Sequence, residues 1–345
     1  MSDDLAQRLQ AYVAQRLPDA ENPRVVALER IHGGASRETY RFRLSLGEGA
    51  EQRERPLILR RDPPGSCIET DRRNEFEAYR AFADESLGVP VPEMLWLEED
   101  ERWLGHPFFV MQEITGYEAS PVAISQPPYA EYAEAYGREK YEILGRIARA
   151  EPRGIGLLAH FAAPAPGDCW QRELAHWEEV LDEDEPGPQP IIRAAIRWLR
   201  AHPPPPPLRV GVVHGDYRTG NFLYDRDGGI HGILDWEMAH LGDPLEDLAW
   251  GFSPLFDFQG SGLAGGLLER EAALRIWQES SGLDVDRDAL QWWEVFTAVK
   301  GQAIWLSSGR EFLEGKNPDP ILAIASLSMV DKQDRAALVA LGRAS

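Results

Sequence analysis

Apolar positions recur along this chain with two different periods, and the change from one to the other divides it. Near the start, Leu5, Leu9, Val13 and Leu17 stand four apart, the spacing of one face of an amphipathic helix that Pro18 would end. Next, VVALERIHGGASRETYRFRL (25–44) reads as strand, glycine turn and strand, with Tyr40, Phe42 and Leu44 alternating in the second, and PLILRR (56–61) as a third strand. DRRNEFEAYRAFADE (71–85) returns to helical spacing through Phe76, Tyr79 and Phe82, and HPFFVMQEI (106–114) is an apolar strand that fades into a loop. From there the pattern is mostly helical, over 129–150, 169–182, 190–201, 267–281 and 287–306. The consecutive prolines 203–207 read as a stiff polyproline linker, and no internal repeat is present. A chain of 345 residues exceeds one hydrophobic core. The pattern therefore predicts an α+β protein of two lobes: a small antiparallel β-sheet lobe with one helix over 1–113, and a larger, mainly helical lobe over 114–345.

Composition removes several function classes. The net charge of −21 excludes a nucleic-acid face built on bulk positive charge, so an anionic ligand would have to be met by local cations. The acidic runs 98–101 and 182–185 read as solvated loops. The opening MSDDLAQRLQ lacks the basic and apolar stretches of a secretory signal, and no uncharged apolar run would span a bilayer. Cys67 and Cys169 are too few for a disulfide framework and lack metal-binding spacing. The expectation is a cytoplasmic protein with no membrane partner and no structural zinc.

The densest chemistry lies in VVHGDYRTGNFLYDRDGGIHGILDWE (212–237). A strand-like run ends at His214, Gly215 and Asp216; Asn221 follows five residues later, then an apolar run, the turn DRDGG, and a returning run that delivers Asp235. Such a hairpin brings its end back beside its beginning, so Asp216, Asn221 and Asp235 converge. Two carboxylates and an amide oxygen suit a hard cation such as Mg²⁺ that keeps positions open for phosphate oxygens. Phosphoryl transfer needs this combination: a carboxylate to position a hydroxyl and take its proton, and metal-bound oxygens beside it. Asp216 is the candidate base, Asn221 and Asp235 the candidate metal ligands, and His214 a brace for the loop.

HGDYRTGN followed by ILDWE resembles the HxDxxxxN loop and metal-binding Asp of the aminoglycoside phosphotransferase and choline kinase superfamily, relatives of the protein kinases. The resemblance covers about residues 25–310. It implies a bilobal protein-kinase-like fold with ATP and Mg²⁺ between the lobes, and an alcohol-directed, ATP-dependent small-molecule kinase. In GGASRETY it implies that Gly33, Gly34 and Ser36 approach the nucleotide phosphates; in LILRR, that Arg60, with Arg61 as the alternative, holds the α- and β-phosphates, paired with Glu75 of the next helix. Many of these kinases carry Lys there, and Arg replaces a point charge by a planar fork. Arg218 takes the place of a basic residue facing the γ-phosphate. In PFFVMQEITG, backbone groups of Gln112 to Ile114 would bond adenine.

The stretch WEMAHLGDPLEDLAW after Asp235, with GGASRETY and LILRRDPP, is most similar to kinase-like domains fused to some acyl-CoA dehydrogenases and to their free-standing bacterial relatives. That similarity implies a hydroxy acid or hydroxyacyl-CoA as acceptor. Asp243 before Pro244 reads as a helix cap, Asp247 as a brace for the loop, and Glu237 as facing metal or acceptor. Trp277, Trp292, Trp293 and Trp305 read as core residues singly, and together as material for an apolar acceptor pocket. An aminoglycoside acceptor would want acidic residues on those helices, and a nucleotide-binding pseudokinase would not need Asp216.

Overall fold

In the computed structural model, residues 2–31, 38–49, 52–62, 71–316 and 319–344 are described. Gly33, Gly34 and Ser36 lie outside them.

Helix α1 (Ser2–Arg16) lies against an antiparallel five-stranded sheet made of β1 (Arg24–Ile31), β2 (Glu38–Leu46), β3 (Arg53–Arg61), β4 (Met94–Glu98) and β5 (Phe108–Gln112), in the order β1-β2-β3-β5-β4. The four-residue spacing of α1 has its expected consequence: Leu5, Leu9, Tyr12 and Val13 are buried on the sheet together with Phe42, Leu57, Leu59 and Phe108. Alternation along β3 decides what each face carries. Leu57 and Leu59 face α1, whereas Ile58 joins the other core with Phe76, Tyr79 and Phe109. Helix α2 (Arg72–Ala81) covers that second face, started by Asp71, whose side chain accepts the Arg73 N–H at 2.7 Å.

The rest is helical around a small β-rich centre. Helices α3 (Ala133–Arg149), α4 (Cys169–Asp184) and α5 (Pro190–Ala201) precede β6 (Gly211–Val213), β7 (Phe222–Tyr224), β8 (Ile230–Ile233) and β9 (His240–Gly242). They are followed by α6 (Leu245–Phe252), α7 (Arg270–Ser281), α8 (Arg287–Leu313) and α9 (Pro320–Ala340). The expected hairpin is β7–β8, turned by DRDGG: Asp225 Oδ1 accepts the N–H groups of Asp227 and Gly229, and Gly228 adopts φ +96°. The strand before the loop is not part of it. β6 pairs with β9, so two short ribbons flank the loop from His214 to Asn221.

Helix α8 is the axis of this part, buried over nearly every residue from Val295 to Ala303. The expected aromatic pocket is corrected here. Trp277, Trp292 and Trp293 are core residues at 1 %, 1 % and 0 % exposure, with the Trp292 and Trp293 indoles donating to Leu199 O and Asp243 Oδ2. Trp305, also on α8, is only partly buried and stands outside that core. No helix of the described residues is long and apolar enough to cross a membrane.

Candidate active site

The loop between β6 and β7 is fixed peptide by peptide. Gly215 has φ +87°, and a Cβ there would fall 2.4 Å from the Met238 carbonyl oxygen, so only glycine fits. Asp247, buried in α6, accepts the N–H groups of His214 and Gly215 at 2.6 and 2.9 Å; burial pushes its carboxyl up to about 6. The Asp216 N–H lies 3.1 Å from His214 Nδ1, which must then be the bare nitrogen, leaving Nε2–H to donate to Leu234 O at 2.9 Å. Burial lowers the His214 pKa to about 4, consistent with that neutral tautomer. His214 and Asp247 thus brace the loop, as the sequence suggested, and Asp243 caps α6 through the Leu245 N–H.

Around Asp216 the donors converge. Arg218 Nε lies 3.1 Å from both carboxylate oxygens, Asn221 Nδ2 2.6 Å from Oδ2, and Trp250 Nε1 2.7 Å from Oδ1. Asn221 is joined in turn to the end of the hairpin, its carbonyl accepting the Leu234 N–H at 2.8 Å. Asp235 follows in the left-handed region, φ 66° and ψ 57°, its N–H donating to the Tyr79 hydroxyl at 2.8 Å. That conformation is uncommon outside glycine, Asn and Asp.

Arg60 projects from β3 to the same place. It donates to Glu75 Oε1 at 2.6 Å and Asp235 Oδ1 at 3.0 Å, with Glu237 at 3.8 Å. Burial alone would lower the Arg60 pKa, but Glu75 and the neighbouring acids more than offset it and hold it well above its ordinary value. Burial likewise would raise Asp235, and Arg60 reverses this and holds it below the usual carboxylate range. Arg61, one residue on, points to the opposite face and binds Glu38 and the Leu104 carbonyl. Strand alternation therefore separates the two candidates.

Of the segment expected to meet a nucleotide base, the Gln112 and Glu113 N–H groups are already committed to Glu93 O and Pro56 O. The Ile114 N–H has no hydrogen-bond partner among the described residues, and a Cβ on Gly232 would lie 3.0 Å from the Ile114 side chain, so β8 runs directly beneath it.

The residues fit a divalent ion. Asn221 uses only its NH₂ group in the bonds above, and neither Asn221 Oδ1 nor Asp235 Oδ2 meets a hydrogen-bond donor among the described residues. One or two protein oxygen ligands, with waters and phosphate oxygens filling the remaining positions, are what Mg²⁺ takes in a phosphate site.

Three further residues complete the surroundings and carry no spacing signal in the sequence. Trp250 holds Asp216; Lys140 of α3, fully buried, reaches Thr219 Oγ1 at 3.3 Å; Lys300 of α8, 1 % exposed, reaches Gly215 O at 2.6 Å. The Arg218 guanidinium lies 5.6 Å from the Phe256 ring centre.

Residues 27–283, most of the chain, match the family model "Phosphotransferase enzyme family". Among curated proteins, the chain is 30 % identical over 225 residues to acyl-CoA dehydrogenase family member 10 of Mus musculus, covering 63 % of this chain and 19 % of that protein. It is 26 % identical over 243 residues to acyl-CoA dehydrogenase family member 11 of Gallus gallus, covering 70 % and 30 %. It thus spans less than a third of those relatives. Viomycin phosphotransferase of Streptomyces vinaceus is 30 % identical over 178 residues, covering 50 % of this chain and 59 % of that protein. Among solved structures, a candidate aminoglycoside phosphotransferase of Ralstonia eutropha superposes with TM-score 0.73 at 21 % identity, covering 98 % of each chain. A thermostable aminoglycoside phosphotransferase in ternary complex with AMP-PNP and hygromycin B gives 0.56 at 19 %, covering 95 % and 98 %. The fold is the kinase-like one these structures share.

Proposed function

The chain belongs to the phosphotransferase enzyme family, and from that premise we propose that it moves the γ-phosphoryl group of ATP to the hydroxyl of a small hydroxy acid or hydroxyacyl-CoA, with Mg²⁺. The observation that carries the reading is the carboxylate of Asp216, held by Arg218, Asn221 and Trp250 beside two unused oxygen ligands.

Asp216 orients the acceptor hydroxyl and takes its proton as the new P–O bond forms and the bond to the β–γ bridging oxygen breaks, releasing ADP. The transition state is loose, so positioning and charge neutralisation supply most of the acceleration. Arg218 stabilises the transferring group, and Arg60, clamped by Glu75, holds the α- and β-phosphates. Asn221 Oδ1 and the Asp235 carboxylate would hold Mg²⁺, which when bound neutralises the phosphate oxygens. The Ile114 N–H is the donor best placed for adenine, and Gly33, Gly34 and Ser36 would cover the phosphates. The strand edge at Gln112–Ile114 then serves as the hinge between lobes 1–113 and 114–345.

The acceptor class is supported by what stands at Asp216: Trp250, Phe256 and Arg218, an aromatic and cationic setting that suits an apolar acid. An aminoglycoside acceptor is the second reading, supported by the aminoglycoside phosphotransferases among the structures that superpose, and viomycin phosphotransferase adds a relative named for another antibiotic. Incubating the protein with ATP, Mg²⁺ and parallel sets of hydroxy acids, hydroxyacyl-CoA esters and aminoglycosides, with mass spectrometry of products, separates them. A gain of one phosphate on the first two sets is expected; phosphorylation confined to aminoglycosides reverses the assignment. A protein that binds ATP tightly and phosphorylates no acceptor would be a pseudokinase.

A further inference from the structure

A chain of alternating charge, which the transfer step does not use, runs inward from the partly exposed Arg172 to the loop before Asp216. Arg172 Nε lies 3.0 Å from Glu173 Oε1; His240 Nε2 lies 3.5 Å from Glu173 and 3.1 Å from Glu246; and Lys300 Nζ donates to Glu246 Oε1 at 2.9 Å. Glu173, His240 and Glu246 bring ligand atoms within 4.8 Å of one another, the geometry of a metal site. With no ion between them the three side chains pair with one another. The imidazole Nδ1 faces the Met238 carbonyl at 3.0 Å and its Nε2 the Glu246 carboxylate, both pure acceptors, so in this ion-free arrangement both nitrogens carry protons. The cluster is an ion-pair chain with a cation at each end.

Its inner end is Lys300. Besides Glu246, the ammonium donates to the Gly215 carbonyl at 2.6 Å and stands 4.8 Å from the Trp250 ring centre. The Gly215–Asp216 peptide is therefore held at both ends, its C=O by Lys300 and its N–H by His214 Nδ1. The preceding peptide is held through the Gly215 N–H by Asp247. Trp250, under the same ammonium, fixes Asp216 Oδ1. Burying a Lys–Glu pair is expensive, and an apolar pair of the same volume would pack here without that desolvation cost. What the apolar pair could not do is hold a carbonyl and an indole in one geometry.

We propose that Lys300 is a positioning residue for Asp216, fixing the base through the Gly215 carbonyl and the Trp250 indole, with Glu246 and His240 as its anchor. The inference rests on Asp216 being the base of the proposed transfer. Asp216 misplaced by about an ångström costs on the order of 10²-fold in turnover while leaving the nucleotide contacts of Arg60 intact.

The test is the pair of variants Lys300→Met and Lys300→Met/Glu246→Gln, the second leaving no buried carboxylate without its partner. For the folded double variant, kcat is expected to fall about 10²-fold with ATP affinity by calorimetry within about twofold of the wild type. Hydrogen exchange should accelerate in peptides spanning 212–221 and not in those spanning 56–61. Wild-type kcat with unchanged exchange overturns the proposal, as does a parallel loss of kcat and ATP affinity, which marks a general structural role. Should the double variant not fold, Lys300→Arg keeps the charge but displaces it; a fall of about tenfold in kcat with ATP affinity kept is expected, and wild-type turnover overturns the proposal. If the wild type itself transfers no phosphate, the reading of Asp216 fails, and exchange in 212–221 alone decides whether Lys300 holds the loop.

Discussion

Lys140 and Lys300 each meet the catalytic loop from a helix of the larger lobe, and both are closed to solvent, yet they are treated differently. Lys300 has a carboxylate at 2.9 Å and a carbonyl at 2.6 Å. Lys140 has the Thr219 hydroxyl at 3.3 Å, the Tyr141 ring at 5.1 Å, and no carboxylate within ion-pair distance among the described residues. Burial, then the nearby Arg218, lowers the Lys140 pKa to about 7. A buried ammonium is retained as a charge only where an anion offsets its desolvation. Lys300 is wired to hold the backbone leading to Asp216; Lys140 adds basicity beside Arg218 and costs stability in doing so.

The contrast is broken most sharply by deleting each amine. Lys300→Met leaves Glu246 buried with His240 as its remaining partner and should cost about 3–5 kcal/mol in denaturant unfolding. Lys140→Met should instead stabilise the fold, by roughly 3 kcal/mol at pH 6. The sign follows from linkage. The folded pKa of about 7 lies below that of a free lysine, so between the two values the unfolded chain binds the extra proton and wild-type stability rises with pH. The gain from Lys140→Met should therefore be full below pH 7 and shrink as pH climbs toward the free-lysine value; a pH-independent gain would refute the depressed pKa. Smallest is Thr219→Val, which removes the acceptor for Lys140 and the donor to Gly265 O at 2.8 Å and should cost about 1–2 kcal/mol. A loss as large as that of Lys300→Met would mean that Lys140 depends on Thr219 as Lys300 does on Glu246.

The family and the kinase-like fold were legible because HxDxxxxN, the DRDGG turn and the returning Asp235 form one local unit, whose chemistry and hairpin share a short stretch of chain. Arg60 against Arg61 was open in the sequence and follows from alternation once β3 is paired with β2 and β5. Other features were not readable for physical reasons. β4, MLWLE, is intermediate in burial throughout and gives no alternation. Lys300 sits in a helix enclosed on all sides, where periodicity cannot tell which face meets the loop. Trp250 lies in a helix of eight residues, all buried, so nothing in its spacing marks the side that reaches Asp216. Trp292 and Trp293 read singly as core, as packing has them; what fails is their joint reading as pocket material, because aromatic content resembles a pocket until packing places it.

The phosphotransfer assignment is tested most directly by replacing Asp216 with Asn and measuring, in one preparation, ATP affinity by calorimetry and Mg²⁺-dependent phosphate transfer to the acceptor found by mass spectrometry. ATP affinity within about threefold of the wild type, with turnover lower by on the order of 10³-fold or more, is expected of a base that acts only in the transfer step. Turnover equal to the wild type in the Asn variant would contradict it.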